Sequence, residues 1–232
     1  MGSDARNKYL KRETLHFLLE SCFSPNKDEI PPVPLEKKIP YIRKFPDSLP
    51  EPFHFRKFPV GELKEGGFVF AWRDREDFNV FSLMEDSDPY NDAEMKNDKT
   101  WTKGDVMELF LQMPGTNSYY EFHIAPGGAT MELRIPDSDK LHKGEYKFEE
   151  LICSSGMRAD AINIYEDRFK GWAASISVPL EHPERPLTGA RFCVCRYNYN
   201  RSWGNCPELS STTEFTCERP SFHELNFWHK VI

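Results

Sequence analysis

No apolar run in this 232-residue chain approaches the roughly 18 residues that a membrane-spanning helix needs. The N-terminal region offers only Phe17, Leu18 and Leu19 in a charged setting, too short and too charged for a signal-peptide core. Read literally, the chain is expected in the cytoplasm. A start of Met1, Gly2 and Ser3 fits equally well with an N-terminus that has replaced an export signal, which would make the protein secreted. Positive charge is also scarce, with 30 Lys and Arg against 37 Asp and Glu, a net charge of −7 and a pI near 5.6. A chain without a basic excess is not expected to bind nucleic acid or an anionic membrane. The six cysteines contain no C-x-x-C pair and no zinc-finger spacing. Cys193 and Cys195 share one face of a strand, where two small buried hydrophobes are expected rather than a disulfide, so the thiols read as free. Also missing are G-x-S-x-G, H-E-x-x-H, a P-loop and a dinucleotide fingerprint. Carboxylates are plentiful enough for a glycosidase pair, but none is singled out, so no catalytic residue is assigned.

What the chain does have is aromatic weight, 14% of residues with 18 Phe and 5 Trp, enough to fill a substantial core. Its most informative stretch is Trp101 to Pro126, which reads as two strands around a Gly-containing turn. Met107, Leu109 and Leu111 alternate with Val106, Glu108, Phe110 and Gln112, so one strand face is apolar and the other carries Glu108 between apolar neighbours. A carboxylate in that position requires a partner, a metal or a ligand, because leaving it buried and unpaired is costly. In the second strand Tyr120, Phe122 and Ile124 oppose Tyr119, Glu121 and His123. Both strands thus combine apolar with hydrogen-bonding residues, as a binding surface does.

Around this stretch the pattern is one of short strands and turns. Leu15, Leu18, Leu19 and Cys22 form a helical stripe that Pro25 ends. Nine of the 18 prolines fall between Pro25 and Pro59, excluding helix there. Residues 1–38 are therefore read as a helical, Pro-rich N-terminal extension and 39–232 as the domain proper. Strands are expected at Gly67 to Trp72 and Phe78 to Met84, forming a hairpin, then at Ala129 to Ile135, Lys147 to Cys153, Arg158 to Tyr165, Gly171 to Val178, Arg191 to Tyr199 and Glu224 to Val231. Strands recurring every 10 to 15 residues without a strong helix indicate an all-β fold, an antiparallel, jelly-roll-like sandwich.

Several residues are candidates for binding. Trp101, in a polar loop before the first strand, is either a ring for stacking on a sugar or a lid over the sandwich edge. Glu108 and His123 can hydrogen-bond sugar hydroxyls, or Glu108 can be held structurally by Arg134, Arg158 or Arg196. Asp86, Asp88 and Asp92 gather hard oxygen ligands, so that segment is either a structural calcium site or a solvated acidic turn.

The segments FVFAWRDREDFNVFSLMEDSDP (68–89), WTKGDVMELFL, YYEFHIAP, GWAASISVPL (171–180), GARFCVCRYNYNR (189–201) and PSFHELNFW (220–228) resemble, in that order, carbohydrate-binding module family 9 and its single-domain relatives. The resemblance spans roughly residues 60 to 232 and implies a non-catalytic β-sandwich that binds glucose- or xylose-type glycans between aromatic side chains, with structural calcium nearby. It implies that Trp101 stacks on the sugar, that Glu108 bonds its hydroxyls, that His123 stands where the family places an Arg, and that Asp88 belongs to the calcium-associated position. The chain departs from the family in three places. GWAASIS lacks the family's strand Glu, Cys193 and Cys195 stand at polar ligand positions, and the second stacking Trp, expected near Thr216 or Cys217, has only Phe215 close by. Arg196, Asn198, Arg201 and Trp203 are the residues available to build a substitute. A β-sandwich that has lost its sugar site and serves protein interaction remains the alternative.

Overall fold

The structure is a computed structural model that describes residues 15, 18, 35–42, 49–166, 169–182, 184–217 and 221–232. In chain order its strands are β1 (Glu36–Lys37), β2 (Phe53–His54), β3 (Arg56–Phe58), β4 (Gly67–Arg73), β5 (Asp77–Glu85), β6 (Val106–Gln112), β7 (Tyr119–Ile124) and β8 (Thr130–Ile135). These are followed by β9 (Arg158–Glu166), β10 (Phe169–Pro179), β11 (Arg191–Asn198), β12 (Glu208–Ser211) and β13 (His229–Val231). The helices α1 (Ser138–His142) and α2 (Phe148–Leu151) are short.

The strands form a β-sandwich, as the alternating pattern predicts. The larger sheet has eight strands, ordered β1-β13-β11-β6-β7-β8, with β12 and β3 attached beside β11. The smaller has five, ordered β2-β4-β5-β10-β9. The β4–β5 hairpin is present as expected, in the register Phe70 opposite Phe81. Period-2 alternation decides which residues enter the core. Met107, Leu109, Leu111, Phe122 and Ile124 point between the sheets onto Val69, Val80, Trp172 and Ile176 of the smaller one. The outer face of the smaller sheet is also apolar, and Phe68, Phe70, Trp72 and Phe81 there are covered by Leu15, Leu18 and Ile42. Those two leucines belong to the predicted N-terminal stripe; Leu19, Cys22 and most of the proposed extension lie outside the described residues.

The outer face of the larger sheet has a cover of its own. Phe110, Tyr119, Met131, Leu133 and Ile135 pack under Leu151, Phe222 and Trp228. Here the sequence reading needs correction, because Lys147 to Cys153, expected as a strand, contains helix α2. The Lys147 amide donates to Glu150 Oε2 at 2.8 Å, a local cap that closes one helical turn, and Leu151 is then buried toward the sheet. Likewise Glu224 to Val231 is a 3-10 turn at Leu225–Phe227 before the short β13, not one continuous strand. Cys153, Cys193, Cys195, Cys206 and Cys217 are unpaired thiols. No helix among the described residues is long and apolar enough to cross a membrane.

Candidate functional site

β6 and β7 pair with Glu108 directly opposite His123, so both side chains leave the same, outer face of the larger sheet. Glu121, two residues before His123, shares that face and is 6% exposed, Glu108 is 3% and His123 0%. His123 Nε2 lies 2.7 Å from Glu121 Oε1 and 3.3 Å from Glu108 Oε1. Its Nδ1 lies 2.7 Å from the Thr100 hydroxyl. One imidazole thus holds two carboxyl groups that, among the described residues, have no Lys or Arg paired with them.

Such a pair cannot ionise equally. Burial drives the Glu108 carboxyl well above the usual range, and the charge of Glu121 adds to this. Burial is the largest influence on Glu121 and opposes its ionisation, but the hydrogen bond from His123 and the nearby charge of His223 and His123 together outweigh it and hold that carboxyl below the usual range. The two environments thus pull the pair apart, Glu108 toward the protonated acid and Glu121 toward the carboxylate. His223, whose burial lowers its pKa, bonds the Tyr119 hydroxyl at 2.7 Å and places Nε2 3.8 Å from Glu121 Oε2.

Glu108 and Glu121 line the floor of a pocket of about 320 Å³, and His123 is buried beneath them. Its walls are aromatic, made by Trp101, Tyr146, Phe148, Tyr197 and Phe222 together with His223. Trp101 enters from the 3-10 turn Thr100–Thr102. Its ring meets His123 edge-on, 5.8 Å between centroids, and Phe148 at 5.8 Å. The Tyr199 hydroxyl bonds its carbonyl oxygen at 2.8 Å. The turn is anchored just downstream by Gly104, which has φ +144°. A Cβ at that position would stand 2.4 Å from Tyr90 O and 2.7 Å from Asn91 Cα, both backbone atoms. Gly104→Ala is therefore expected to cost about 2 kcal/mol or more. A thermal melt checks this, and an unchanged Tm would contradict the packing.

Of the residues singled out in the sequence, the structure brings together Trp101, Glu108 and His123. It places the others elsewhere. Arg134 is exposed, Arg158 pairs with Asp77, and neither reaches Glu108. Arg196 alternates with Cys195 and Tyr197 and so points between the sheets, away from the pocket. Its Nη2 donates to Glu85 O at 2.7 Å, Asp86 Oδ2 at 3.2 Å and Asn198 Oδ1 at 2.8 Å. Asn198 in turn donates to Glu65 Oε2 at 2.9 Å. Arg201 and Trp203 sit on a separate turn. There Arg201 donates to Asp88 Oδ1 at 2.6 Å and lies over the Tyr90 ring at 3.8 Å, while Lys64 lies over Trp203 at 4.1 Å.

The acidic loop is divided by the same two arginines. Asp86 faces Arg196 and Asp88 faces Arg201, while Asp92 is exposed. The group of His, Cys, Asp or Glu side chains close enough to share a metal ion, among the described residues, is instead Glu108, Glu121 and His123. Near Asp86, Asp105 is fully buried and accepts the amides of Tyr90 at 2.7 Å and Tyr199 at 2.6 Å. Burial, reinforced by Asp86, pushes its carboxyl up to about 8. A folded-state pKa above the unfolded one gives stability that is complete at low pH and lost as pH rises through the folded value. Urea unfolding is thus expected to show a loss of roughly 2 kcal/mol between pH 6 and pH 9. A stability that is flat or rising over that window would contradict this account of Asp105.

Sequence reasoning left Glu121 unassigned, although it alternates in step with His123. His223, Tyr146, Phe148 and Tyr197 were also missed, and they reach the pocket only through tertiary packing.

Neither a family model nor a curated protein sequence matches the chain. Solved structures do. A candidate carbohydrate-binding protein from Bacteroides uniformis superposes with TM-score 0.57 at 12% identity, over 84% of this chain and 97% of the other. A carbohydrate-binding module of family 9 from Caldicellulosiruptor kristjanssonii, in complex with cellotriose, gives 0.55 at 10% identity over 84% and 93%. A family 9 module from the same organism in complex with glucose gives 0.51 at 9% over 78% and 87%. This chain therefore has the β-sandwich fold found in carbohydrate-binding modules of family 9.

Proposed function

We propose that the chain binds carbohydrate without transforming it, taking a glucose- or xylose-type unit into the pocket on the larger sheet. The observation that carries this reading is the pocket itself, where aromatic rings enclose two buried carboxyl groups. A pyranose ring presents apolar C–H faces and polar hydroxyl edges, which suits that lining. Trp101 supplies a stacking wall, Glu121 accepts from hydroxyls, and Glu108, protonated, donates as well as accepts. Tyr146, Phe148 and Tyr197 take the part of the second wall that the sequence lacks near Thr216. The likeness in fold to modules crystallised with cellotriose and glucose supports the ligand class. Calorimetric titration with glucose, cellobiose and xylo-oligosaccharides tests the reading. It predicts one binding site per chain, and no heat at millimolar ligand would sink it.

One observation favours a second reading, a glycan hydrolase. Glu108 and Glu121 bring carboxyl oxygens no more than 4.8 Å apart to one pocket, as a paired acid and carboxylate of a retaining glycosidase must be neighbours, and their environments push one pKa up and the other down. Release of reducing sugar from cello- or xylo-oligosaccharides, lost in Glu121→Gln, would decide for catalysis over binding.

A further inference from the structure

Glu108 shares its one basic neighbour with a second carboxyl. It is 3% exposed and lines the cavity, yet among the described residues its carboxyl meets only His123 Nε2, at 3.3 Å. That nitrogen lies closer to Glu121, at 2.7 Å. A buried carboxyl without a donor of its own is costly, and placing a second carboxylate beside it makes the cost larger. Elsewhere in the molecule buried acids do have donors. Asp86 faces Arg196, and Glu132 is met by Lys96 at 2.6 Å and by Ser155. Among the described residues that line the pocket there is neither Lys nor Arg.

We propose that Glu108, Glu121 and His123 form a divalent transition-metal site, of the zinc class, with its open coordination positions facing the pocket. The three side chains offer one nitrogen and two oxygens whose atoms lie within 4.8 Å of one another. Ligands at metal bonds of about 2.0–2.2 Å stand roughly 3.3–3.6 Å apart in a tetrahedral site. The Glu108 oxygen, 3.3 Å from His123 Nε2, already meets that range, and the Glu121 oxygen, at 2.7 Å, reaches it by moving roughly 0.6 Å. The outer support is also in place. Thr100 Oγ1, 2.7 Å from His123 Nδ1, can accept a proton from that nitrogen and so leave the Nε2 lone pair to a metal, the usual way a ligating imidazole is oriented. One imidazole with two carboxylates selects zinc or manganese over calcium, which prefers six to eight oxygens. The site is distinct from the acidic loop at Asp86 to Asp92, and it does not depend on the sugar reading, since a pocket that binds no glycan could still hold the ion.

The test uses the full chain stripped with chelator and titrated calorimetrically with zinc chloride, with manganese and calcium chlorides as parallel arms. The expected result is one zinc per chain with Kd below about 10 μM, at least tenfold weaker binding in Glu108→Gln, and at least hundredfold weaker in Glu108→Gln/Glu121→Gln. Glu108→Gln keeps the shape of the neutral acid, so its thermal melt should stay close to that of the parent and leave the single variant interpretable. Cobalt substitution gives a second readout, expected to lack a thiolate charge-transfer band. Absence of zinc uptake, uptake unchanged in Glu108→Gln, or a thiolate band pointing to Cys206 or Cys217 would each overturn the proposal. Sugar titration repeated in chelator is read separately, so the metal and carbohydrate readings can fail independently.

Discussion

Replacing Arg196 with Met lowers the folding free energy by about 3–5 kcal/mol. The guanidinium is 1% exposed and Asp86 opposite it is 1% exposed, so the substitution leaves a buried carboxylate without its cation. It also removes the donor to Glu85 O and Asn198 Oδ1, and the bond from Nη1 to Gly66 O at 3.3 Å. These contacts tie β11 of one sheet to the β4–β5 hairpin of the other, across the interior of the sandwich. Adding Asp86→Asn to Arg196→Met should recover part of the loss, because the uncompensated charge is then gone while the orphaned carbonyls remain. Guanidinium unfolding of both variants measures this. A loss below about 1 kcal/mol for Arg196→Met would mean that the pair adds little beyond its own desolvation.

The second large effect concerns Trp101. On the carbohydrate reading, Trp101→Ala weakens sugar binding by about 30-fold, as expected when an aromatic anchor in a desolvated pocket is truncated. Its ring also packs on His123 and Phe148, so part of the loss comes from relaxation of the pocket floor. Trp101→Phe separates the two contributions by restoring an aromatic wall, and it should recover most of the affinity. Circular dichroism confirms that each variant is folded at the titration temperature. Affinity unchanged in Trp101→Ala would leave Trp101 as a lid rather than a binding surface.

The hairpin of β6 and β7 was legible because strict alternation leaves Glu108 nowhere to go but the outer face, and the same rule places Glu121 and His123 beside it. The sandwich followed from the many short alternating segments. What the sequence hid depends on register and on distant chain. Arg196 and Tyr197 are neighbours on one strand with opposite destinations, and only the register Cys195 opposite Glu108 shows that Arg196 belongs to the interior. The segment from Lys147 reads as a strand by its mix of residues. A single capped turn converts it to helix and brings Phe148 to Trp101. β12, Glu-Leu-Ser-Ser, carries too little hydrophobic alternation to be found without its partners β11 and β3. His223 reaches the pocket from 100 residues beyond His123, with no local signal to announce it.

The division of the acidic loop has the same origin. Asp86 and Asp88 are two residues apart and look like a common ligand set, yet Asp86 is turned inward to Arg196 and Asp88 toward Arg201. The carboxyl groups of the pocket floor, among the described residues, meet histidine rather than Lys or Arg.

The central claim is that the aromatic pocket on the larger sheet holds a sugar. A crystal structure of the full chain at saturating cellotriose tests it most directly. The account predicts a glucosyl ring inside that pocket, beside Trp101, with hydroxyls on Glu108 and Glu121. A ring bound instead at the Arg201 to Trp203 turn, or a pocket empty of sugar at saturation, would contradict it.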